Sequence, residues 1–292
     1  MVEQLTLNQR AAGSNPSSPT NRKNARQDVF FIGAIFFLNN MFNLHFDTAL
    51  AADYKSESQK IRVLTEDWTV KNAFCPCCGE GLAHYENNRP VADFFCPACH
   101  EQFEQKSKRT AFGRKITDGA YDSMISRLSD NNNPHFFFMT YKNDAVKDLM
   151  LVPKHFFAAD MIERRKPLAP TARRAGWVGC NILLEKIPDS GKIFYVKNGV
   201  AAPEKDVLTA FQKTAFLKNA SASLKGWTLD VMLCVDALKK RDFTLDEIYG
   251  FEKTLQAKHP ENNFVKDKIR QQLQYLRDKG YLTFKGKGHY SL

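Results

Sequence analysis

Cys75, Cys78, Cys96 and Cys99 form two Cys-x-x-Cys pairs with seventeen residues between them. Four thiolates at that spacing can converge tetrahedrally on Zn²⁺ while the intervening chain makes a short ribbon. Redox pairs or a disulfide knot are the alternatives, but an odd total of seven cysteines suits metal binding in a reducing compartment better, with the cytoplasm as default. A closed Cys₄ shell leaves no position for a substrate and is therefore structural. Cys77 is a spare neighbour, Cys180 and Cys234 sit in apolar contexts as expected buried thiols, and His84 and His100 are substitutes for an already complete ligand set.

Chemistry must then come from what flanks the second pair. VADFF (91–95) and FEQKS (103–107) have strand character, with the cysteine pair as the turn between them. Side chains two apart on a strand share a face, so Glu104 and Lys106 point the same way, and hairpin pairing can bring Asp93 opposite Glu104. Two carboxylates so placed can hold a hard divalent cation such as Mg²⁺, with Lys106 available to orient an attacking water or stabilise developing charge. The zinc would staple the tip of a hairpin whose stem presents the acids. The same residues would also serve as a solvated hairpin face carrying a cross-strand ion pair.

The elements that must position these groups can be read from periodicity and punctuation. Residues 1–28 are polar, with a composition that cannot offset ordering entropy, and are expected to be a disordered tail. A basic stretch and apolar run at 22–38 followed by ALAA at 49–52 imitate a signal peptide, but the run is too short to span a bilayer. Ile61, Leu64 and Trp68 predict an amphipathic helix over 54–72. Helices are expected at 117–129, 156–164 and 204–218, and strands at 135–141, 149–153 and 192–198, with a Pro- and Arg-rich loop at 166–177. This order implies an α/β (α+β) core. Residues 219–226 read as a linker of small polar residues. Beyond them three helices precede a hairpin turning at Gly286-Lys287-Gly288, which is a winged-helix plan over 227–292. Its second helix opens with a capping-box spacing, Thr244 to Glu247; its third carries Val265, Ile269, Leu273 and Leu276 on one stripe and stops at Gly280.

A net charge of +10 and a pI near 9.2 suit a polyanionic partner. With the core stripe of the third helix turned inward, Arg270, Gln271 and Gln274 face outward, where Arg can read guanine and Gln adenine in a major groove. Lys285 and Lys287 in the hairpin and Arg173 and Arg174 in the loop suit phosphates, although such charges are often only a solvated face. Trp177 and Trp227 are the aromatic candidates for a base or methyl contact, with core packing the alternative for each; Trp68 belongs to an apolar stripe.

The stretches SQKIRVLTEDW (58–68), YENNRPVADFFC (85–96), KPLAPTARRAGWVGCNI (166–182) and KIRQQLQYLRDK (268–279) resemble the DpnI-like methyl-adenine-dependent type II restriction endonucleases, PD-(D/E)xK nucleases with a winged-helix domain. The resemblance runs from about Met41 to the C-terminus, though a PD dipeptide is absent: the proline is Pro90, three residues before Asp93. It implies a catalytic domain over 41–218 with a zinc ribbon at 75–99, and catalysis by Asp93, Glu104 and Lys106. It further implies Mg²⁺ held by both acids and the Gln105 carbonyl, and cleavage of double-stranded DNA at GATC sites carrying N6-methyladenine. Neither a membrane nor a protein partner is implied. Residues 1–40 have no counterpart, so the chain is expected to start at Met41, leaving the apolar run as a non-native extension. The rival readings are a zinc-ribbon, winged-helix DNA-binding regulator without catalysis, and a related nuclease with another sequence or methylation preference.

Overall fold

The computed structural model describes residues 43–85, 92–130 and 132–292; the expectations for residues 1–40 lie outside them. Helix α1, Glu57–Asn72, forms as its stripe predicts, burying Leu64, Thr65, Trp68 and Thr69. Its exposed side is laced by i,i+4 pairs, Arg62–Glu66 at 2.6 Å and Lys71–Asp67 at 2.9 Å.

The strands β1 (Ala83–His84), β2 (Phe94–Phe95), β3 (Gln102–Lys108), β4 (Lys115–Ala120), helix α2 (Tyr121–Ser129), and strands β5 (His135–Lys142) and β6 (Ala145–Val152) follow in turn. After them come β7 (Ile162–Arg164), β8 (Gly179–Leu183), β9 (Ile193–Lys197), β10 (Val200–Ala201) and helix α3 (Glu204–Thr214). The main sheet has the order β1-β2-β3-β5-β6-β9-β10, with β3 and β5 parallel and every other neighbouring pair antiparallel. A parallel pair needs a crossover, and β4 with α2 supplies it. Seven of the eight residues of β5 are buried, as a strand covered on both faces requires. Its alternation splits the core in two: Phe137, Met139 and Tyr141 pack toward α1, while Phe136 and Phe138 join Met124, Ile116 and Ile182 on the other face.

That second face is covered by a small antiparallel sheet of order β4-β8-β7. The helix expected over 117–129 therefore begins only at Tyr121, since residues 115–120 are strand β4 paired with β8. The helix expected over 156–164 is replaced by two short 3-10 turns and β7. Phe156, Phe157, Met161 and Ile162 are all buried, and their crowding imitates a helical stripe.

The expected linker at 219–226 shrinks, because Ser221 caps helix α4 (Ala222–Ala237), its hydroxyl accepting from the Leu224 N–H at 3.3 Å. Next come β11 (Asp242–Thr244), α5 (Leu245–Tyr249), α6 (Glu252–Lys258), α7 (Val265–Asp278), β12 (Thr283–Gly286) and β13 (His289–Ser291). Strand β11 joins the hairpin in the order β11-β13-β12. The predicted stripe of α7 is buried, and Gly286, Lys287 and Gly288 take positive φ through the turn. The capping box forms as expected: Thr244 Oγ1 accepts from the Glu247 N–H at 3.2 Å while Glu247 accepts from the Thr244 N–H at 2.8 Å. Thr244→Ala should accordingly cost about 1 kcal/mol, read as a lowered chemical-denaturation midpoint with an unchanged slope. No helix among the described residues is long and apolar enough to cross a membrane.

Candidate functional site

Alternation along β3 sorts its side chains. Phe103 is buried toward α1, and the Gln105 side chain on that same face accepts from Thr69 Oγ1 at 2.6 Å. Glu104 and Lys106 emerge on the opposite face, under β4 and α2, where they meet as expected: Lys106 Nζ lies 2.6 Å from Glu104 Oε1. The structure adds two partners. Lys106 Nζ is also 2.7 Å from Asp118 Oδ1 on β4, and Arg127 of α2 donates to Glu104 Oε2 at 3.0 Å. Burial alone would lower the Lys106 ammonium, but the charges of Glu104 and Asp118 outweigh it and hold lysine well above its ordinary value.

Asp93 approaches β3 from its other side. Its main-chain N–H donates to the Phe103 carbonyl at 2.9 Å, and its carboxylate accepts from the Gln105 N–H at 2.7 Å. The carboxylate thus takes the ladder position that β2 vacates. Because N–H and C=O of alternate residues share an edge, the Gln105 carbonyl faces the Asp93 side as the Phe103 carbonyl does. Asp93 thus meets the Gln105 main chain, and Glu104 is the residue before it on β3; carboxylate and carbonyl oxygens are the donors that a hard cation takes. Arg62 stands 3.8 Å from Asp93, and Glu66, pushed up by burial and further by the Asp93 charge, is a neighbouring acid that sequence reasoning did not single out. Both carboxylates keep lone pairs beyond these contacts, since each can accept at about four sites.

The four cysteines converge as expected. Among the described residues they are the one group of three or more His, Cys, Asp or Glu ligand atoms within 4.8 Å of one another. Sγ separations of 3.4 Å for Cys75–Cys99 and Cys78–Cys96 and 3.6 Å for Cys78–Cys99 are close to the edge of roughly 3.8 Å that a ZnS₄ tetrahedron has. The two knuckles are built alike. In each, the residue after the second cysteine donates its N–H to the first cysteine's carbonyl and takes positive φ, at Gly79 (+84°) and at His100 (+60°). Glycine enters that region without penalty; His100 shows that the knuckle imposes it regardless.

The second knuckle is fastened to the sheet by Glu101, which lies 3.2 Å from His135 Nε2, 2.6 Å from Lys154 Nζ and 3.3 Å from Lys218 Nζ. His135 Nδ1 accepts from the Lys154 N–H, so the imidazole proton sits on Nε2 and points at Glu101. Burial pushes His135 down, toward the neutral form this pattern needs. The second cysteine knuckle is thereby tied to β5 and to the chain beyond β6.

At the C-terminal end, Arg270, Gln271 and Gln274 are exposed on α7, with Gln271 accepting from Lys268 at 2.8 Å. Lys287 is exposed at the hairpin turn, while Lys285 is paired with Asp242 of β11. Phe264, at the N-cap of α7, is 71% exposed and carries no periodicity signal that would have marked it. Trp227 is not at the surface: it is 5% exposed, with its ring stacked on His259 at 3.8 Å, so the expectation that it contacts a base is corrected to core packing. Trp177 is half-buried in the loop between β7 and β8, beneath the exposed Arg174 at 4.7 Å. Exposed Arg173 lies in the same loop, and only a glycine at 179 leaves room for the Trp177 ring, which a Cβ there would meet at 2.8 Å.

Two family models match the chain. One, described as the DpnI Dam-replacing family, covers residues 42–220; the other, described as the Dam-replacing HTH domain, covers residues 223–291.

Proposed function

The chain belongs to the DpnI Dam-replacing family, and on that premise we propose that it is a Mg²⁺-dependent type II restriction endonuclease that cuts double-stranded DNA at GATC sites carrying N6-methyladenine. The observation that carries the catalytic part is the Asp93 carboxylate accepting from the Gln105 N–H at 2.7 Å, next in sequence to Glu104, whose Oε1 lies 2.6 Å from the Lys106 ammonium.

Asp93, Glu104 and the Gln105 carbonyl would hold Mg²⁺. Bound there, the ion supplies a Lewis acid for the phosphodiester and a water of lowered pKa. Lys106 orients the attacking water and stabilises charge that develops on the phosphate. Cys75, Cys78, Cys96 and Cys99 would hold a structural Zn²⁺ that keeps the hairpin bearing Asp93 in register with β3. Reducing conditions, as in the cytoplasm, suit those thiolates.

Reading of DNA falls to α7 and the hairpin, with Arg270, Gln271 and Gln274 at base edges and Lys287 on phosphate. Arg173, Arg174 and Trp177 form a second approach from the catalytic domain. One buried methyl contributes only about 0.8 kcal/mol, so sharp selectivity requires that both methyls of a palindrome be sensed, by two domains.

The test is digestion of one plasmid prepared from adenine-methylating and non-methylating hosts, with Mg²⁺ or with chelator. Cutting only of the methylated DNA, and only with Mg²⁺, is expected. Equal digestion of both would refute methyl dependence. DNA binding without cutting under any divalent metal would instead identify a regulator.

A further inference from the structure

We infer that Asp118 is a positioning residue for the reaction, holding the Lys106 ammonium in place through the 2.7 Å contact between Asp118 Oδ1 and Lys106 Nζ. This rests on the nuclease reading and deepens it. Asp118 is not on the β3 hairpin at all; it reaches the site from β4, in the small sheet that covers this face. Its side chain is 1% exposed. The β4–β8 register breaks immediately after it, between Asp118 and Ala120, and such bulges bend a strand and re-aim its side chains.

A buried carboxylate is costly, and for stability alone an apolar pair would serve a β-sheet interface as well. What the charge does supply is a fixed anion for Lys106. Its other oxygen, Oδ2, accepts from the weak thiol donor of Cys180 at 3.9 Å. Lys106 is shared between Glu104 and Asp118, and the two acids differ in what else they must do. Glu104 would turn its oxygens to the metal, with Arg127 as a further partner. Asp118, anchored on a separate strand, would remain the counter-ion that keeps Nζ from following Glu104 or swinging into solvent.

Asp118→Asn preserves shape and removes the charge. With methylated duplex DNA and Mg²⁺, its single-turnover cleavage rate should fall by about 10²-fold, the effect of roughly 1 Å of misplacement at a reacting centre. DNA affinity measured in Ca²⁺ and the melting temperature should stay near those of the wild type, a split that a merely structural role would not give. If the Asn variant does not fold, Asp118→Glu keeps the charge but displaces it by one methylene, and is judged by the same loss of rate. Cleavage within about threefold of wild type by a folded variant overturns the inference and leaves the nuclease intact. A wild-type protein that never cuts overturns the nuclease reading itself.

Discussion

Asp93→Asn is expected to abolish DNA cleavage, by about 10³-fold or more, while leaving DNA binding within about twofold of the wild type. The size follows from the several kcal/mol that a metal clamp contributes to a phosphoryl transition state, at 1.36 kcal/mol per decade of rate. Asn is preferred to Ala because its side-chain oxygen can still accept the Gln105 N–H that Asp93 accepts at 2.7 Å, so that edge of β3 keeps its partner. Ala removes that bond as well and adds about 1 kcal/mol of destabilisation. Binding should survive because the groups proposed to face DNA, on α7 and the 166–177 loop, lie on other elements. Single-turnover cleavage and fluorescence anisotropy on one methylated duplex measure the two quantities. Parallel loss of both would mean that Asp93 supports the fold and not the chemistry; an unchanged rate would remove it from the site.

The second large effect is expected from the cysteine cluster. Metal analysis should find one zinc per chain, and Cys78→Ser should lose it. Structural zinc sites contribute about 10–16 kcal/mol of apparent binding energy at neutral pH, and here the cluster joins the segment before β1 to the turn between β2 and β3. Loss of even about 5 kcal/mol would lower the melting temperature by roughly 10–20 °C in a domain of this size. Cleavage should fall with the metal, since the turn that it closes separates Asp93 from Glu104. A zinc-free protein with unchanged melting and cutting would show that the ribbon is dispensable.

Where a residue's place is fixed by local rules, the sequence was readable. The stripe of α1, each Cys-x-x-Cys pair, the Thr244–Glu247 box, the buried face of α7 and the glycine-rich turn each depend on spacings within a few residues. The pairing of Glu104 with Lys106 belongs to the same class, being a period-two relation on one strand. What was hidden depends on distant segments. Residues 117–120 lack strand periodicity and run into the helical pattern of α2; only pairing with β8, about sixty residues later, makes them a strand. Asp118 therefore gave no sign of standing beside Lys106. The 156–164 segment is apolar on all sides because it fills a core, and that density imitates a helix. Gln272 looks like a surface residue between Gln271 and Leu273, yet it is buried and accepts from Thr228 Oγ1 at 2.7 Å. Trp227 was open between DNA and core by composition, and the stack on His259 decides it.

On the proposed function, β3 seats a divalent ion beside the Lys106 ammonium group. Anomalous diffraction from crystals soaked in Mn²⁺ tests it directly, because manganese takes the oxygen ligands that Mg²⁺ takes and scatters strongly enough to be located. A peak coordinated by Asp93, Glu104 and the Gln105 carbonyl is expected, with Lys106 Nζ adjacent and Asp118 still in contact with it. Saturating Mn²⁺ with no peak there, and the two carboxylates in separate surroundings, would contradict it.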